Sequence, residues 1–90
     1  MGITSEKREQ IVKDYGKSDG DTGSAAVQVA LLTEKVAKLT DHLNVHRKDF
    51  SSQRGLRKMV GQRRRLLKYV KRRDLSAYRE LIEKLGIRGV

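Results

Sequence analysis

The chain contains no cysteine and no proline, and aromatic residues are few. Without cysteine it can form neither disulfide bonds nor thiolate metal sites. Without proline it lacks the residue that most often breaks helices. Hydrophobic residues are 37% and aromatic residues 4% of the 90 residues, so any core must be thin and mostly aliphatic. We therefore expect one all-α domain over residues 1–90.

Long apolar runs are also missing. No stretch approaches the roughly 18 apolar residues that a membrane-spanning helix needs. The N-terminal segment MGITSEKREQ lacks the apolar centre of a signal peptide. We therefore expect a soluble, intracellular protein that has no membrane partner. We also expect it to lie in the cytoplasm and to be a monomer when free.

Motifs for catalysis and for cofactor or metal binding are incomplete. Gly16-Lys17-Ser18 resembles the end of a P-loop, but Ile11 stands where the leading glycine belongs and no strand precedes it. His42 and His46 are spaced for one helix face but lack further ligands, which favours surface positions or nucleic-acid contacts over a zinc site. We expect no enzymatic activity, no cofactor and no metal.

Positive charge is concentrated in one segment, from His46 to Arg73. The segment holds 12 of the 21 lysine and arginine residues and a single acid, Asp49, for a net charge of +11. The rest of the chain carries −1, and no acid occurs between Arg54 and Arg73. A solvated helix face usually alternates cations with acids, so this clustering indicates a nucleic-acid partner. With about six phosphate contacts, log affinity should fall with log salt at a slope of about −4 to −5.

Apolar periodicity predicts four helices, at residues 4–15, 25–45, 50–72 and 75–85. The glycine-rich residues 16–24 should form a loop. Gly86 should end the fourth helix. The expected N-caps are Thr4 or Ser5, Ser24, Asp49 and Asp74.

A short linker joins the two long helices, so we expect them to pack as an antiparallel hairpin that the fourth helix completes as a three-helix bundle. The position of the short first helix stays open, either packed on the bundle or mobile. Val60 and Leu75 belong to the apolar stripes and should face the core. Arg63 falls within the stripe of the third helix, so it must snorkel or meet a partner. The tail at residues 87–90 should be loose.

A few residues could distinguish one nucleic acid from another. Asp49 can cap a helix, or its carboxylate can accept hydrogen bonds from guanine amino groups and ribose hydroxyls, which A-form RNA presents in its minor groove. His46 and Ser52 lie three residues from Asp49 on either side, so we expect them to line up with it. From charge alone, the alternative function is that of a nonspecific DNA-compacting basic protein.

Two further positions each have two interpretations. Tyr69 can stack on a base or ribose, or it can be a half-buried core tyrosine. Thr22 and Gly23 can offer backbone N–H groups and a hydroxyl to a phosphate, or they can serve ordinary turn and capping roles.

Several runs of residues form recognisable motifs, namely Gly20-Asp21-Thr22-Gly23-Ser24, His42-Leu43, His46-Arg47-Lys48-Asp49, Ser52-Gln53-Arg54-Gly55-Leu56, Val60-Gly61-Gln62-Arg63-Arg64-Arg65-Leu66-Leu67-Lys68-Tyr69, Tyr78-Arg79 and Leu81-Ile82-Glu83-Lys84-Leu85-Gly86-Ile87-Arg88. Together these runs resemble the bacterial ribosomal protein S15 family of the small ribosomal subunit. The resemblance covers the whole chain without large insertions.

The resemblance implies a four-helix protein that binds the central domain of small-subunit ribosomal RNA (rRNA) early in assembly. Its sites would be a three-helix junction and a nearby element with G·U and G·C pairs. At that element the resemblance implies minor-groove contacts from Asp49, Ser52 and His42, whereas the spacing alone points to His46. The junction contacts that it implies are Thr22, Gly23, Gln28, Lys35, Arg65, Tyr69 and Arg72. From the basic segment we add Arg54, Arg64 and Lys68 as RNA contacts.

The resemblance also implies further partners. They are neighbouring small-subunit ribosomal proteins, large-subunit rRNA across the subunit interface and, in some family members, their own messenger RNA.

Overall fold

A computed structural model describes residues 4–16 and 20–89, and for residues 20–23 it describes the backbone alone. It contains four helices, which are α1 (Ser5–Tyr15), α2 (Gly20–Val45), α3 (Phe50–Arg73) and α4 (Leu75–Leu85). No β-strand occurs within these described ranges, and the all-α prediction is confirmed. The predicted helix ends agree with the structure to within one residue, except at the start of α2.

The start of α2 was predicted wrongly. The helix begins at Gly20, so Ser24 lies inside it and does not cap it. Glycine disfavours a helix by about 1 kcal/mol relative to alanine, which is why residues 20–24 looked like a loop. Packing overrides that preference, because the following residues Ala25 and Val29 are buried against α3. Residues 17–19, which include part of the P-loop-like run, lie outside the described residues.

Helices α2 and α3 form the predicted antiparallel hairpin. Near the connecting turn, Leu39 of α2 borders Gly55 of α3. Towards the other end, Val29 and Leu67 share the main core cluster. Residue numbers therefore fall along α2 as they rise along α3. Arg63, which lies between these two levels of α3, donates to the hydroxyl of Thr33 at 3.4 Å and so has the partner that its position required.

The main core cluster takes two buried residues from each of three helices. These six residues are Ala25 and Val29 of α2, Leu67 and Val70 of α3, and Tyr78 and Leu81 of α4. Their spacing of three or four places each pair on one helix face. Val60 and Leu75 were predicted to face this core but are 40% and 45% exposed. Each residue lies at the edge of the apolar stripe of its own helix. That stripe is wider than the part of the helix that packs against its neighbours.

Side-chain caps define three helix starts. Thr4 accepts from the Lys7 N–H, Asp49 from the Ser52 N–H and Asp74 from the Ala77 N–H, at 3.2, 3.1 and 3.1 Å. These contacts confirm the predicted caps of α1, α3 and α4. Gly86 ends α4 with a φ of 64°, in the left-handed region that favours glycine.

Helix α1 packs on the bundle. Its Ile11 is buried, and the Lys84 ammonium of α4 donates to the Asp14 carbonyl and lies 4.5 Å from the centre of the Tyr15 ring. This packing answers the question that the sequence left open. The prediction of a loose tail is wrong at Ile87, which is half-buried against the core and donates its N–H to the Ile82 carbonyl at 3.1 Å.

Candidate nucleic-acid interface

One cluster of predicted residues lies where α2 meets α3. The Asp49 Oδ2 atom is 2.8 Å from His42 Nε2 and accepts from the Ser52 hydroxyl at 2.6 Å. The Oδ1 atom accepts from the Ser52 N–H at 3.1 Å. His42, Asp49 and Ser52 form what we call the acceptor cluster. The hydrogen-bond partner of Asp49 is therefore His42, as the resemblance implied, while the exposed ring of His46 lies 4.6 Å from the ring of His42 and lines the same depression.

The hydrogen bonds keep Asp49 ionised. The Ser52 hydroxyl, the His42 ring and the Ser52 N–H together lower the pKa of the Asp49 carboxyl from 3.8 to about 2. His42 and Asp49 side chains are 28% and 34% exposed, so the cluster is open to solvent. A serine hydroxyl that donates to a carboxylate keeps its own lone pairs as acceptors. Asp49 therefore caps α3 and also takes part in a surface rich in hydrogen-bond acceptors.

The turn that carries this cluster is braced by further hydrogen bonds. The Gln53 side chain donates to the Arg47 carbonyl at 2.7 Å, and the Asp49 N–H donates to the His46 carbonyl at 3.2 Å. The acceptor cluster is therefore held in place before any partner binds, which lowers the entropic cost of binding.

A groove between the first part of α2 and the last part of α3 brings together three predicted residues, Gln28, Arg65 and Tyr69. Tyr69 is half-buried and packs against the core. Its hydroxyl accepts from the Arg73 Nε at 3.2 Å, and the guanidinium lies 5.3 Å from the centre of its ring. One side of the Tyr69 ring packs against the core and the other side faces the groove. The position of Tyr69 is therefore compatible with a half-buried core tyrosine and with a ring that stacks on a base or ribose.

Sequence reasoning missed two residues that line the same groove. Ser24 was taken as a helix cap, and Gln62 was given no role. Gln62 precedes Arg65 by three residues and Tyr69 by seven, which places all three on one face of α3. Helical spacing from Arg65 and Tyr69 could therefore have identified it.

The remaining predicted residues surround these two sites. Lys68 and Arg72 line a second depression on α3, together with Arg65 and with Lys71, which was not predicted as an RNA contact. Arg54 and Arg64 are exposed on the same helix, and Lys35 is half-buried on α2 without lining the groove. Thr22 and Gly23 lie in the first turn of α2, and the side chain of Thr22 lies outside the described residues.

Other functional classes find no matching geometry in the described part of the chain. Its side chains include no group of three or more His, Cys, Asp or Glu residues placed to hold a metal ion. Its helices include none that is both long enough and apolar enough to cross a membrane. The chemistry that the interface offers is cations, hydrogen-bond acceptors and one half-buried ring.

Comparison with known sequences decides the family. A family profile described as Ribosomal protein S15 matches residues 7–88. The chain belongs to the ribosomal protein S15 family. Similar proteins named "Small ribosomal subunit protein uS15" occur in Fusobacterium nucleatum subsp. nucleatum (62% identical, covering 90% of this chain and 95% of the relative), in Limosilactobacillus reuteri (54% identical, 98% and 99%) and in Acaryochloris marina (54% identical, 99% and 100%).

Membership in the S15 family confirms the resemblance on which several predictions rested. It confirms that the chain is a ribosomal protein and not an enzyme, and it confirms the predicted location in the ribosome. The roles of individual residues in the acceptor cluster and in the groove stay predictions.

Proposed function

We propose that this chain is a structural component of the small ribosomal subunit and binds the central domain of small-subunit rRNA. Its targets are a three-helix junction and a neighbouring minor-groove element with G·U and G·C pairs. The observation that carries this proposal is the presence of two chemically different sites on one rigid helical hairpin. The acceptor cluster lies at one end of α3, and the groove lined by Gln28, Arg65 and Tyr69 lies towards the other.

The distance between the two sites supports recognition of a folded RNA. Ser52 and Tyr69 are 17 residues apart on α3, which corresponds to about 26 Å along a helix. One base pair cannot reach both sites, and the two sites differ in chemistry. Both are therefore occupied by an RNA that holds a minor groove and an unpaired nucleotide in one relative arrangement. The protein therefore shifts the junction towards that arrangement through differential binding.

The acceptor cluster suits a minor groove. Guanine presents its 2-amino group there, and A-form RNA presents ribose hydroxyls, so both offer donors to Asp49 and Ser52. An ionised carboxylate repels phosphates, so a close approach by the RNA backbone at this point is disfavoured. The cluster therefore selects base edges and hydroxyls over the sugar-phosphate backbone.

The groove suits the junction. Arg65 can hold a phosphate with its planar fork of donors. The Gln28 amide can donate to and accept from a base or ribose, and the groove side of Tyr69 can stack on an unpaired nucleotide. We place Lys35, Arg72 and the first turn of α2, which contains Thr22 and Gly23, around the same junction as further contacts.

Further partners belong to the same proposal. We propose contacts with neighbouring small-subunit proteins and with large-subunit rRNA across the subunit interface as part of an intersubunit bridge. The chain's own messenger RNA is a further candidate partner, since a transcript that mimicked the junction would present the same two sites. We propose that the free protein is a monomer.

A binding comparison tests the proposal. The purified protein should bind a three-helix junction RNA more tightly than an unbranched RNA duplex of equal length and composition at the same salt concentration. Gln28→Ala should weaken junction binding by about 2- to 12-fold, the worth of one hydrogen bond, and should leave duplex binding unchanged. Gln10→Ala on α1 is the matched control. Equal affinity for junction and duplex would refute specific recognition, and equal competition by duplex DNA would favour the DNA-compacting alternative.

A further inference from the structure

Helix α1 has little apolar surface with which to hold itself on the bundle. Its 11 residues are fewer than the roughly 12–15 that an isolated helix needs in water, so contacts with the rest of the protein must stabilise it. Among the described residues of this helix Ile11 alone is buried, and Val12 beside it is 48% exposed. Polar contacts therefore matter for the position of α1.

The main polar contact comes from Lys84, in the last turn of α4. Its ammonium donates to the backbone carbonyl of Asp14 and lies 4.5 Å from the centre of the Tyr15 ring. Carbonyls in the last turn of a helix have no partner within the helix, so Lys84 satisfies one of them. A cation at this end of α1 also interacts favourably with the helix dipole, and a cation beside an aromatic ring is attracted to it. All of these interactions require the charged head group of Lys84.

Lys84 spans an open seam between helices. A depression where α1, α2 and α4 meet is lined by Ile11, Tyr15 and Lys84, so side chains do not fill the space between α1 and α4 at this level. Tyr15 is half-buried against the core cluster, and so is Leu85, which follows Lys84. The contact therefore joins two firmly placed points across a gap. We call the contact of Lys84 with Asp14 and Tyr15 the α1 latch.

The end of α1 lies beside one wall of the groove. A Cβ atom built on Gly16, directly after α1, would be 3.5 Å from the Cγ2 atom of Val27 in α2. Val27 precedes Gln28 and lies three residues after Ser24, and both of these residues line the groove. The α1 latch therefore holds the end of α1 against the turn of α2 that forms this wall.

The beginning of α2 has reason to need such support. Gly20 and Gly23 belong to its first turn, and glycine is among the residues least favourable to a helix. Three residues separate Gly16 from Gly20, so a fixed α1 restricts where the backbone can enter α2. Fewer conformations of this wall before binding mean a smaller entropic cost when RNA binds.

We infer that Lys84 is a positioning residue for RNA binding, which fixes α1 through the α1 latch and thereby preorganises the α2 wall of the groove. Lys84 itself does not contact RNA. The inference rests on the proposed function, because the groove must be the site that binds the junction. A positioning role has a specific signature. Loss of the latch changes affinity without changing the number of phosphates that the protein neutralises.

Two substitutions of Lys84 test this signature. Lys84→Met keeps a long unbranched side chain but removes the charge and the donors, and it should weaken binding of junction RNA by about 2- to 30-fold, the range of one cation–π contact. The slope of log affinity against log salt should stay unchanged. Lys84→Arg keeps the charge and the donors and should retain wild-type affinity. Unchanged affinity in Lys84→Met overturns the inference. So does a slope reduced by about one unit, which would make Lys84 a phosphate contact.

Hydrogen exchange in the free full-length protein tests the latch without RNA. Amides of α1 should exchange faster in Lys84→Met than in wild type, whereas amides in the middle of α3 should not change. Lys13→Met is the matched control, because it removes the same charge from an exposed residue in the last turn of α1. The control should leave both α1 exchange and junction affinity nearly unchanged. Equal α1 exchange in Lys84→Met and wild type overturns the inference.

A double-mutant cycle identifies the partner of Lys84. Tyr15→Leu removes the aromatic ring, and Lys84→Met should speed α1 exchange less in the Tyr15→Leu background than in wild type, because residues in contact have non-additive effects. Additive effects of the two substitutions contradict a latch that includes the ring.

The same measurements separate this inference from the proposed function. Absence of a preference for junction RNA over duplex in the wild-type protein contradicts the proposed function, whatever Lys84 does. Faster α1 exchange in Lys84→Met together with unaltered junction affinity contradicts the link between the α1 latch and the groove. That result overturns the inference and leaves the proposed function intact.

Discussion

The two carboxylate oxygens of Asp49 have different partners. Oδ1 caps α3 through the Ser52 N–H, and Oδ2 accepts from the His42 ring and the Ser52 hydroxyl. A change at this residue therefore affects both the start of α3 and the acceptor cluster. The stability effect can be isolated in the free protein by its dependence on pH.

Asp49 should make stability depend on pH in the acid range. Hydrogen bonds from Ser52 and His42 lower its pKa in the folded protein from 3.8 to about 2, so the unfolded chain takes up this proton first as the pH falls. The stabilisation is complete above about pH 4 and is lost as the pH falls through about 2. Asp49→Asn should lower the free energy of unfolding near neutral pH, and its difference from wild type should shrink towards pH 2, as measured by urea denaturation.

A control on α2 keeps this result interpretable. Asp41 is exposed, and Asp41→Asn should change the free energy of unfolding by less than about 0.5 kcal/mol across the same pH range. Asparagine is a good helix cap, so Asp49→Asn tests the charge more than the cap. If the difference between wild type and Asp49→Asn stayed constant down to about pH 2, the lowered pKa would not be a source of stability.

The cap and the histidine partner of Asp49 show which features of a single residue could be predicted from the sequence and which could not. The cap was predictable, because an aspartate directly before an apolar helix is a strong N-cap signal. The histidine that pairs with Asp49 was not predictable from spacing, because His42 and His46 lie one helical turn apart and both are near Asp49 in sequence. The course of the backbone between α2 and α3 brings His42 to 2.8 Å and leaves His46 exposed. The family resemblance pointed to His42 where spacing pointed to His46.

At the scale of helices, apolar periodicity predicted the helix bounds that depend on the local sequence. It missed the features that depend on contacts between residues far apart in the chain. The bounds of α3 and α4 follow from apolar stripes and the capping residues Asp49 and Asp74. The early start of α2 depends on its packing against α3. The position of α1 depends on contacts with residues far away in the chain, among them Lys84, which contacts a carbonyl 70 residues earlier. No local pattern contains that information.

Gly61 lies in the interior of α3, where glycine is unfavourable. A Cβ atom built at this residue would have no neighbour within 4 Å, so alanine fits without strain. Gly61→Ala should raise the free energy of unfolding by about 0.5–1 kcal/mol, because alanine loses less backbone entropy in a helix. Urea denaturation should show a higher midpoint with an unchanged slope.

Gly86→Ala provides the opposite case. Gly86 has a φ of 64°, a conformation in which alanine is strained by about 1–2 kcal/mol, so this variant should be less stable than wild type. The two substitutions add the same methyl group and should act in opposite directions. A neutral or destabilising effect of Gly61→Ala would mean that α3 is not a regular helix at that residue.

On the scale of the whole molecule, the cations are spread widely, whereas the groups that can distinguish one RNA from another occupy few positions. The structure measures 40 × 28 × 19 Å, and α3 with 24 residues is about 36 Å long, so its cations extend along nearly the longest dimension. Cations attract any nucleic acid. The groups able to discriminate are few, namely the acceptor cluster and the groove lined by Gln28 and Tyr69. Affinity and specificity should therefore respond to different substitutions.

Salt dependence measures this separation. Arg65→Ala should weaken binding of junction RNA and reduce the slope of log affinity against log salt by about one unit, because one phosphate contact is removed. Asp49→Ala should weaken junction binding while leaving the slope nearly unchanged, because a carboxylate displaces no counterion from the RNA. Both variants are titrated against junction RNA and an unbranched duplex between about 50 and about 200 mM salt. Unaltered affinity and slope in Arg65→Ala would remove Arg65 from the interface, and tighter binding with full specificity in Asp49→Ala would exclude a recognition role for Asp49.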